Sequence, residues 1–326
     1  MLTNHVIWQS RLPLNNEKTH TGIVIKSTGS NYSVEYNNKT IDCKIRGKFR
    51  IKGISTTNPV AVGDSVNFLI NQDNIGIITK INQRKNYIIR RSTNLSKQHQ
   101  IIASNIDNAF LTITLFNPET TSEFIDRFLI TTEAFKINSI LIFNKIDLYN
   151  SEQEKYLDSF INIYKNAGYK CIKTSATTNI NIDKLKLLTT NKTNVFSGHS
   201  GTGKSSLINC LDKKLNLKIG EISSYHQKGK HTTTFAQMFK LNNNGYIIDT
   251  PGIKAFGIID DIKKEDLSKY FPEIFKFSKN CKFNNCTHYH EPDCAVKNAV
   301  ENEKISFNRY NNYLNILLDE KNKHRL

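Results

Sequence analysis

Two short motifs stand in an order that restricts the fold more than anything else in the chain. "NKID", Asn144 to Asp147, comes first, and "GHSGTGKS", Gly198 to Ser205, follows well downstream. The second satisfies G-x-x-x-x-G-K-[ST]. It lies between the strand-like "NVFSG" and the helix-like "KSSLINCL". Glycines at 198, 201 and 203 let the backbone wrap a phosphate with its N–H groups inward, and the following helix adds the positive end of its dipole. The candidate phosphate site is therefore Gly198, His199, Ser200, Gly201, Thr202, Gly203, Lys204 and Ser205, with Ser206 just behind. Lys204 would neutralise the terminal phosphates, which also makes it a candidate catalytic residue, and Ser205 would ligate Mg²⁺.

"NKID" follows the apolar run "SILIF". Asp147 can accept from both the N1–H and the amino group of guanine, a donor pair that adenine lacks. Asn144 would tie the base edge to its loops, and Lys145 would lie along the base. One helix and one strand later comes "TSA", where Ser175 and Ala176 would offer a backbone N–H to the guanine carbonyl. Beyond the phosphate loop lie "GKHTTT", Gly229 to Thr234, and "DTPG", Asp249 to Gly252. Asp249 would hold Mg²⁺ through water, and the Gly252 N–H would sense a γ-phosphate. A threonine of "GKHTTT" completes the Mg²⁺ shell in this reading, with Thr233 preferred.

The order is base reader, "TSA", phosphate loop, first switch, "DTPG". That is a rotation of the usual GTPase order, and rotation keeps every spatial contact when the old termini were close and the new ones are exposed. Strands alternate with helices from about residue 105 onward, which implies a parallel sheet covered by helices. With these motifs the chain resembles the circularly permuted bacterial GTPases that assist small ribosomal subunit biogenesis, the RsgA family. The resemblance covers almost the whole chain. It implies an α/β protein with an N-terminal OB-type barrel over 1–95, a circularly permuted P-loop GTPase domain over 96–262 and a C-terminal α-helical zinc-binding domain over 263–326. It also implies GTP and GDP as ligands, with the small ribosomal subunit and its rRNA as partner.

Ile253 follows Gly252, where Ras-like enzymes carry a glutamine that orients the attacking water. An aliphatic chain cannot do this. His231 in "GKHTTT" is the nearest substitute, and the resemblance points to it as well; a neutral imidazole can accept a hydrogen bond from water or relay a proton. Ile253 also leaves open a nucleotide-gated RNA-binding module with little catalysis. A GTPase of another RNA process, such as tRNA modification, is a further alternative.

Three of the six cysteines, Cys43, Cys171 and Cys210, are scattered among apolar neighbours and read as single buried thiols. The others fall in "CKFNNCTHYHEPDC", giving Cys281, Cys286 and Cys294 with His288 or His290. Three thiolates and one imidazole suit a structural tetrahedral Zn²⁺ with no open position. The family spacing favours His288. Because "DTPG" runs straight into this segment, contact at Gly252 would move the zinc domain directly.

Charge points to a polyanionic partner. The formal net charge is +16, and residues 1–100 hold 15 Lys/Arg against 5 Asp/Glu. That third contains five short alternating runs, the pattern of a small barrel or sandwich. In "CKIRGKFRIKG" the cations Lys44, Arg46, Lys48, Arg50 and Lys52 recur with period two, so an extended strand would present them on one face, with Gly47 a possible bulge. "RKNYIIRR" adds Arg84, Lys85, Arg90 and Arg91. Such a stripe tracks a phosphate backbone. The C-terminal basic tail reads equally as an RNA contact or a solvated helix end. No apolar run suits a membrane span or a signal peptide, so a cytoplasmic monomer that binds neither membrane nor DNA is expected.

Overall fold

All five alternating runs form strands in the computed structural model, which describes residues 18–45, 59–91, 99–215, 236–249 and 262–318. They are β1 His20–Thr28, β2 Asn31–Tyr36, β3 Lys39–Ile45, β4 Ser65–Ile70 and β5 Gly76–Ile81. Asn37 and Asn38, both at positive φ, make the tight β2–β3 turn. Neighbouring strands run antiparallel except β3 and β5, which pair in parallel through Cys43↔Gly76, Lys44↔Ile77 and Ile45↔Ile78. β4 returns to β1 and closes the ring as a five-stranded OB-type barrel. Gly76 is needed at the closure, because a Cβ there would stand 2.2 Å from Cys43 Sγ. Val24, Tyr32, Val34, Cys43, Val66, Phe68 and Ile78 fill the interior. Burial pushes the Cys43 thiol up to about 12, so it stays protonated and acts as a small apolar group.

Beyond the barrel, β6 Tyr87–Arg91 and β7 His99–Ser104 form an antiparallel ribbon. Fully buried Asp64 organises the chain here. It accepts from Arg84 Nε and Nη2 at 2.6 Å each, from Ser104 Oγ at 2.6 Å and from the Ala61 N–H at 2.8 Å. Arg84 is thus spent inside the fold and leaves the set of cations expected to face RNA. Lys85 pairs with Asp107 at 2.5 Å. Lys44 is exposed on β3, whereas Arg46, Lys48, Arg50 and Lys52 lie outside the described residues.

The chain packs as two units. The first comprises Met1–Asp107, Thr189–Val195 and His226–Gly252; the second comprises Asn108–Leu188, Phe196–Tyr225 and Ile253–Leu326. In the second, β8 Asn108–Ile113, α1 Ser122–Ala134, β9 Asn138–Phe143, α2 Ser151–Asn166, β10 Lys170–Lys173 and α3 Ile182–Thr189 alternate. β9 pairs in parallel with β8 and with β10, and every residue of β8 is buried, as in a sheet covered on both faces. Asn150 and Gln153 form a capping box that starts α2. β11 Thr193–Ser197 and α4 Lys204–Leu211 flank the phosphate loop.

Three further helices, α5 Pro272–Ser278, α6 Ala295–Glu301 and α7 Phe307–Leu318, carry the cysteine segment. They share one apolar core that includes Phe271, Ile274, Val296, Ile305, Tyr313 and Ile316, together with Ile130 of α1. In the first unit, β12 Gln237–Lys240 and β13 Tyr246–Asp249 run antiparallel, and β12 reaches β1 at Lys26↔Gln237. Lys240 Nζ donates to Glu35 at 2.5 Å and to Asn38 at 2.9 Å, and Tyr246 donates to Glu35 at 3.2 Å. The strand after the first-switch segment is therefore bonded to the barrel wall. No helix among the described residues is long and apolar enough to cross a membrane.

Candidate nucleotide site and cysteine cluster

Three glycines at positive φ shape the loop between β11 and α4: Gly198 at 145°, Gly201 at 84° and Gly203 at 86°. Two also stand where no side chain fits. A Cβ on Gly198 would lie 2.5 Å from the Thr112 carbonyl oxygen, and one on Gly203 would lie 2.3 Å from Asn144 Nδ2. Thr202 is buried and its hydroxyl donates to the His199 carbonyl at 2.9 Å. Lys204 bends back across the loop, with Nζ donating to the Gly198 carbonyl at 3.1 Å. Its ammonium is thereby held against the backbone of the loop. Ser205 is nearly buried at the start of α4, Ser206 is half-buried, and His199, Ser200 and Gly201 are exposed. Partial desolvation where its ring meets the protein, and then the nearby Lys204 ammonium, lower the pKa of His199 and favour its neutral form.

The base reader is tied to this loop. Asn144 is 1% exposed; its amide donates to the Thr202 carbonyl at 2.9 Å, and its oxygen accepts from the Thr174 hydroxyl at 3.1 Å. One side chain therefore holds "NKID", "TSA" and the phosphate loop together. Lys145 adopts the left-handed conformation at φ 63°, which starts the short 3₁₀ turn Ile146–Leu148 and leaves Asp147 exposed. Lys145 Nζ donates to the Asn117 carbonyl at 2.9 Å. Buried Ser175 gives its N–H to Ile180 at 3.3 Å, and its hydroxyl accepts from Thr178 at 3.0 Å.

The loop from β8 to α1 belongs to this neighbourhood, and the sequence reading missed it. Asn117 receives Lys145, and Pro118 lies 3.4 Å from where a Gly201 Cβ would stand. Phe124, in the first turn of α1, places its ring centroid 3.9 Å from that of His199. The Asn117–Pro118 dipeptide after an apolar strand signals a turn, but nothing local says what the turn touches. Other expected residues lie beyond view. His231, Thr233 and Gly252 are outside the described residues, and Asp249 ends β13 with its side chain undescribed.

Cys281, Cys286, His288 and Cys294 present ligand atoms that all lie within 4.8 Å of one another. Cys294 Sγ is 3.9 Å from Cys281 Sγ and 3.8 Å from Cys286 Sγ, while His288 Nδ1 is 3.6 Å from Cys281 Sγ and 3.5 Å from Cys294 Sγ. A tetrahedral centre about 2.3 Å from each sulfur and about 2.0 Å from nitrogen requires edges of about 3.8 and 3.5 Å. His290 is exposed and stands outside the cluster. Tyr310 and Tyr313 of α7 brace the loop by donating to the His288 and Thr287 carbonyls at 2.6 and 2.7 Å. Burial pushes the Cys286 thiol up to about 12 and raises that of Cys294. Three sulfurs and one imidazole nitrogen at this spacing fit the ligand shell of a tetrahedral metal ion.

A glycine-cradled P-loop, clamped by Asn144 to the "NKID" motif that precedes it in the chain, is the arrangement of a circularly permuted P-loop GTPase. The comparisons agree. The family described as RsgA GTPase matches residues 81–259, and the one described as RsgA N-terminal domain matches 21–78. The small ribosomal subunit biogenesis GTPase RsgA 2 of Bacteroides thetaiotaomicron is 53% identical over 306 residues, covering 93% of this chain and 98% of that one. The crystal structure of YjeQ from Thermotoga maritima superposes with a TM-score of 0.75 at 33% identity, covering 92% of this chain and 98% of that one. YloQ, a circularly permuted GTPase, superposes with a TM-score of 0.73 at 30% identity, covering 94% and 96%. The chain belongs to the RsgA family of GTPases. It is a GTP hydrolase that works on guanine nucleotide with Mg²⁺.

Proposed function

We propose that this GTPase binds the maturing small ribosomal subunit, assists its late assembly and rRNA maturation, and leaves after hydrolysing GTP. The observation that carries the reading is 53% identity over nearly the full length to a relative named for small ribosomal subunit biogenesis. Three parts divide the work: a barrel over 1–95 that lies on rRNA, a GTPase domain over 96–262 and a zinc domain over 263–326. The concentration of positive charge in the first hundred residues supports the rRNA contact. The protein acts as a cytoplasmic monomer.

Within the GTPase domain, Asp147 reads the guanine edge and Lys145 lies along the base. The Ser175 N–H is already bonded, so the Ala176 N–H takes the guanine carbonyl. The loop from Gly198 to Ser206 wraps the phosphates. Ser205, Thr233 and, through water, Asp249 complete the Mg²⁺ shell, and the Gly252 N–H meets the γ-phosphate. His231 orients the attacking water in place of the side chain that Ile253 cannot supply. Cys281, Cys286, His288 and Cys294 hold one structural Zn²⁺; three sulfurs and one nitrogen at tetrahedral spacing support this choice.

Co-sedimentation with small subunits tests the reading. The chain should pellet with them under a non-hydrolysable GTP analogue and be released under GDP. Equal pelleting in both states refutes nucleotide-controlled release, and absence from both pellets refutes the partner.

A further inference from the structure

The helix α1 is clamped on two opposite sides. Phe124 in its first turn lies against His199 of the phosphate loop, with ring centroids 3.9 Å apart and planes inclined by 31°. Asp126, two residues on, faces roughly the other way, because residues two apart on a helix do not share a face. Asp126 is fully buried and receives Arg309 Nη1 on one oxygen and Asn312 Nδ2, at 2.6 Å, on the other. Both partners stand on α7, the helix that braces the cysteine cluster. Arg309 is 2% exposed and also donates from Nε to Glu273 at 2.7 Å and from Nη2 at 3.1 Å. Its guanidinium carbon lies 4.7 Å from the Phe271 ring centre. Ile130, one turn beyond Asp126, enters the same apolar core.

An apolar contact between helices can slide. A buried guanidinium shared by two carboxylates cannot, since any shift exposes a charge to an apolar interior. The cysteine-bearing subdomain and α1 therefore move as one body, and Phe124 is the point at which that body presses on the phosphate loop.

We propose that Phe124 is a positioning residue for the phosphate loop, acting through His199, and that the Arg309–Asp126 pair makes α1 a strut between the loop and the cysteine-bearing subdomain. The inference rests on nucleotide binding at "GHSGTGKS". It adds a route from nucleotide to subdomain that does not pass through "DTPG".

Phe124→Leu in the full chain tests it by two measurements, the release rate of a fluorescent GDP analogue and amide hydrogen exchange of Phe307–Leu318 with and without GDP. Losing an aromatic pair should speed release by about two- to tenfold. In the unaltered chain GDP should slow exchange in α7 severalfold, and in Phe124→Leu that GDP-dependent ratio should fall to about one, by linkage between the two ends of the strut. The proposal requires both effects. Release at the unaltered rate overturns it, and so does a GDP-dependent ratio that survives the substitution. A loss of protection by the same factor with and without GDP marks a merely structural role and also overturns it. Failure of the unaltered chain to bind the GDP analogue at all refutes the nucleotide-site reading itself, and the inference with it.

Discussion

The N-terminal barrel and the cysteine-bearing subdomain are both small, and they are held together in contrasting ways. The barrel closes a ring of backbone hydrogen bonds around an apolar interior, so each inward side chain contributes a modest share. The subdomain has no sheet among its described residues, only a 3₁₀ helix of 7 residues and short α-helices of 7, 7 and 12 residues. To its apolar core it adds two concentrated features, the four-ligand cluster and the buried Arg309 pairs. Distributed stability tolerates single losses, whereas concentrated stability does not.

The sharpest break should come at the cysteines. Cys294→Ser, or removal of metal by a chelator, should unfold the subdomain while the barrel stays intact. Amides of Pro272–Leu318 should then exchange about a hundredfold faster or more, since the Zn²⁺ proposed above would contribute its binding energy to the folding of this segment. Unchanged exchange there would refute the metal-dependent half of the contrast. Next in size is Arg309→Met, which leaves buried Asp126 and half-buried Glu273 without their cation. It should cost about 3–5 kcal/mol, read from the denaturant midpoint of the second unit. The double change Arg309→Met with Asp126→Leu should recover part of that loss, because removing both charges is less harmful than stranding one.

On the barrel side, Ile78→Val should cost about 1 kcal/mol, with exchange rising evenly across β1–β5. A loss as large as that of Arg309→Met would erase the distinction between the two regions. Smallest of all, Lys240→Ala removes the partly exposed link to Glu35 and should cost about 0.5 kcal/mol, shrinking in high salt.

Much of the architecture was legible in the chain. The five alternating runs all became strands, and the spacing of apolar runs after residue 105 foretold the parallel β8–β9–β10 sheet. The alternation alone left barrel and sandwich open and the family resemblance supplied the barrel, but the pairing that brings Cys43 to Gly76 has no local signal. Asn144 stood out as part of a motif, yet its link to Thr202, 58 residues away, appears only in the fold. The two arginines most committed to structure were the least readable. Arg84 reads in the sequence as one more RNA-facing cation, and nothing local marks Arg309 as buried. Hydropathy assigns arginine to the surface, and only a carboxylate arriving from elsewhere in the chain reverses that.

The sequence by itself determined the order of the nucleotide motifs, and hence the rotation of the domain. It also determined the cysteine spacing and the strand and helix periods. These are local, since turn chemistry, glycine placement and side-chain alternation act within a few residues. The tertiary structure alone decided which cations are spent inside the fold and that α1 stands between the phosphate loop and the subdomain. A buried charge is stable only when its partner is brought to it in the correct geometry, and the chain cannot specify that meeting until it has folded.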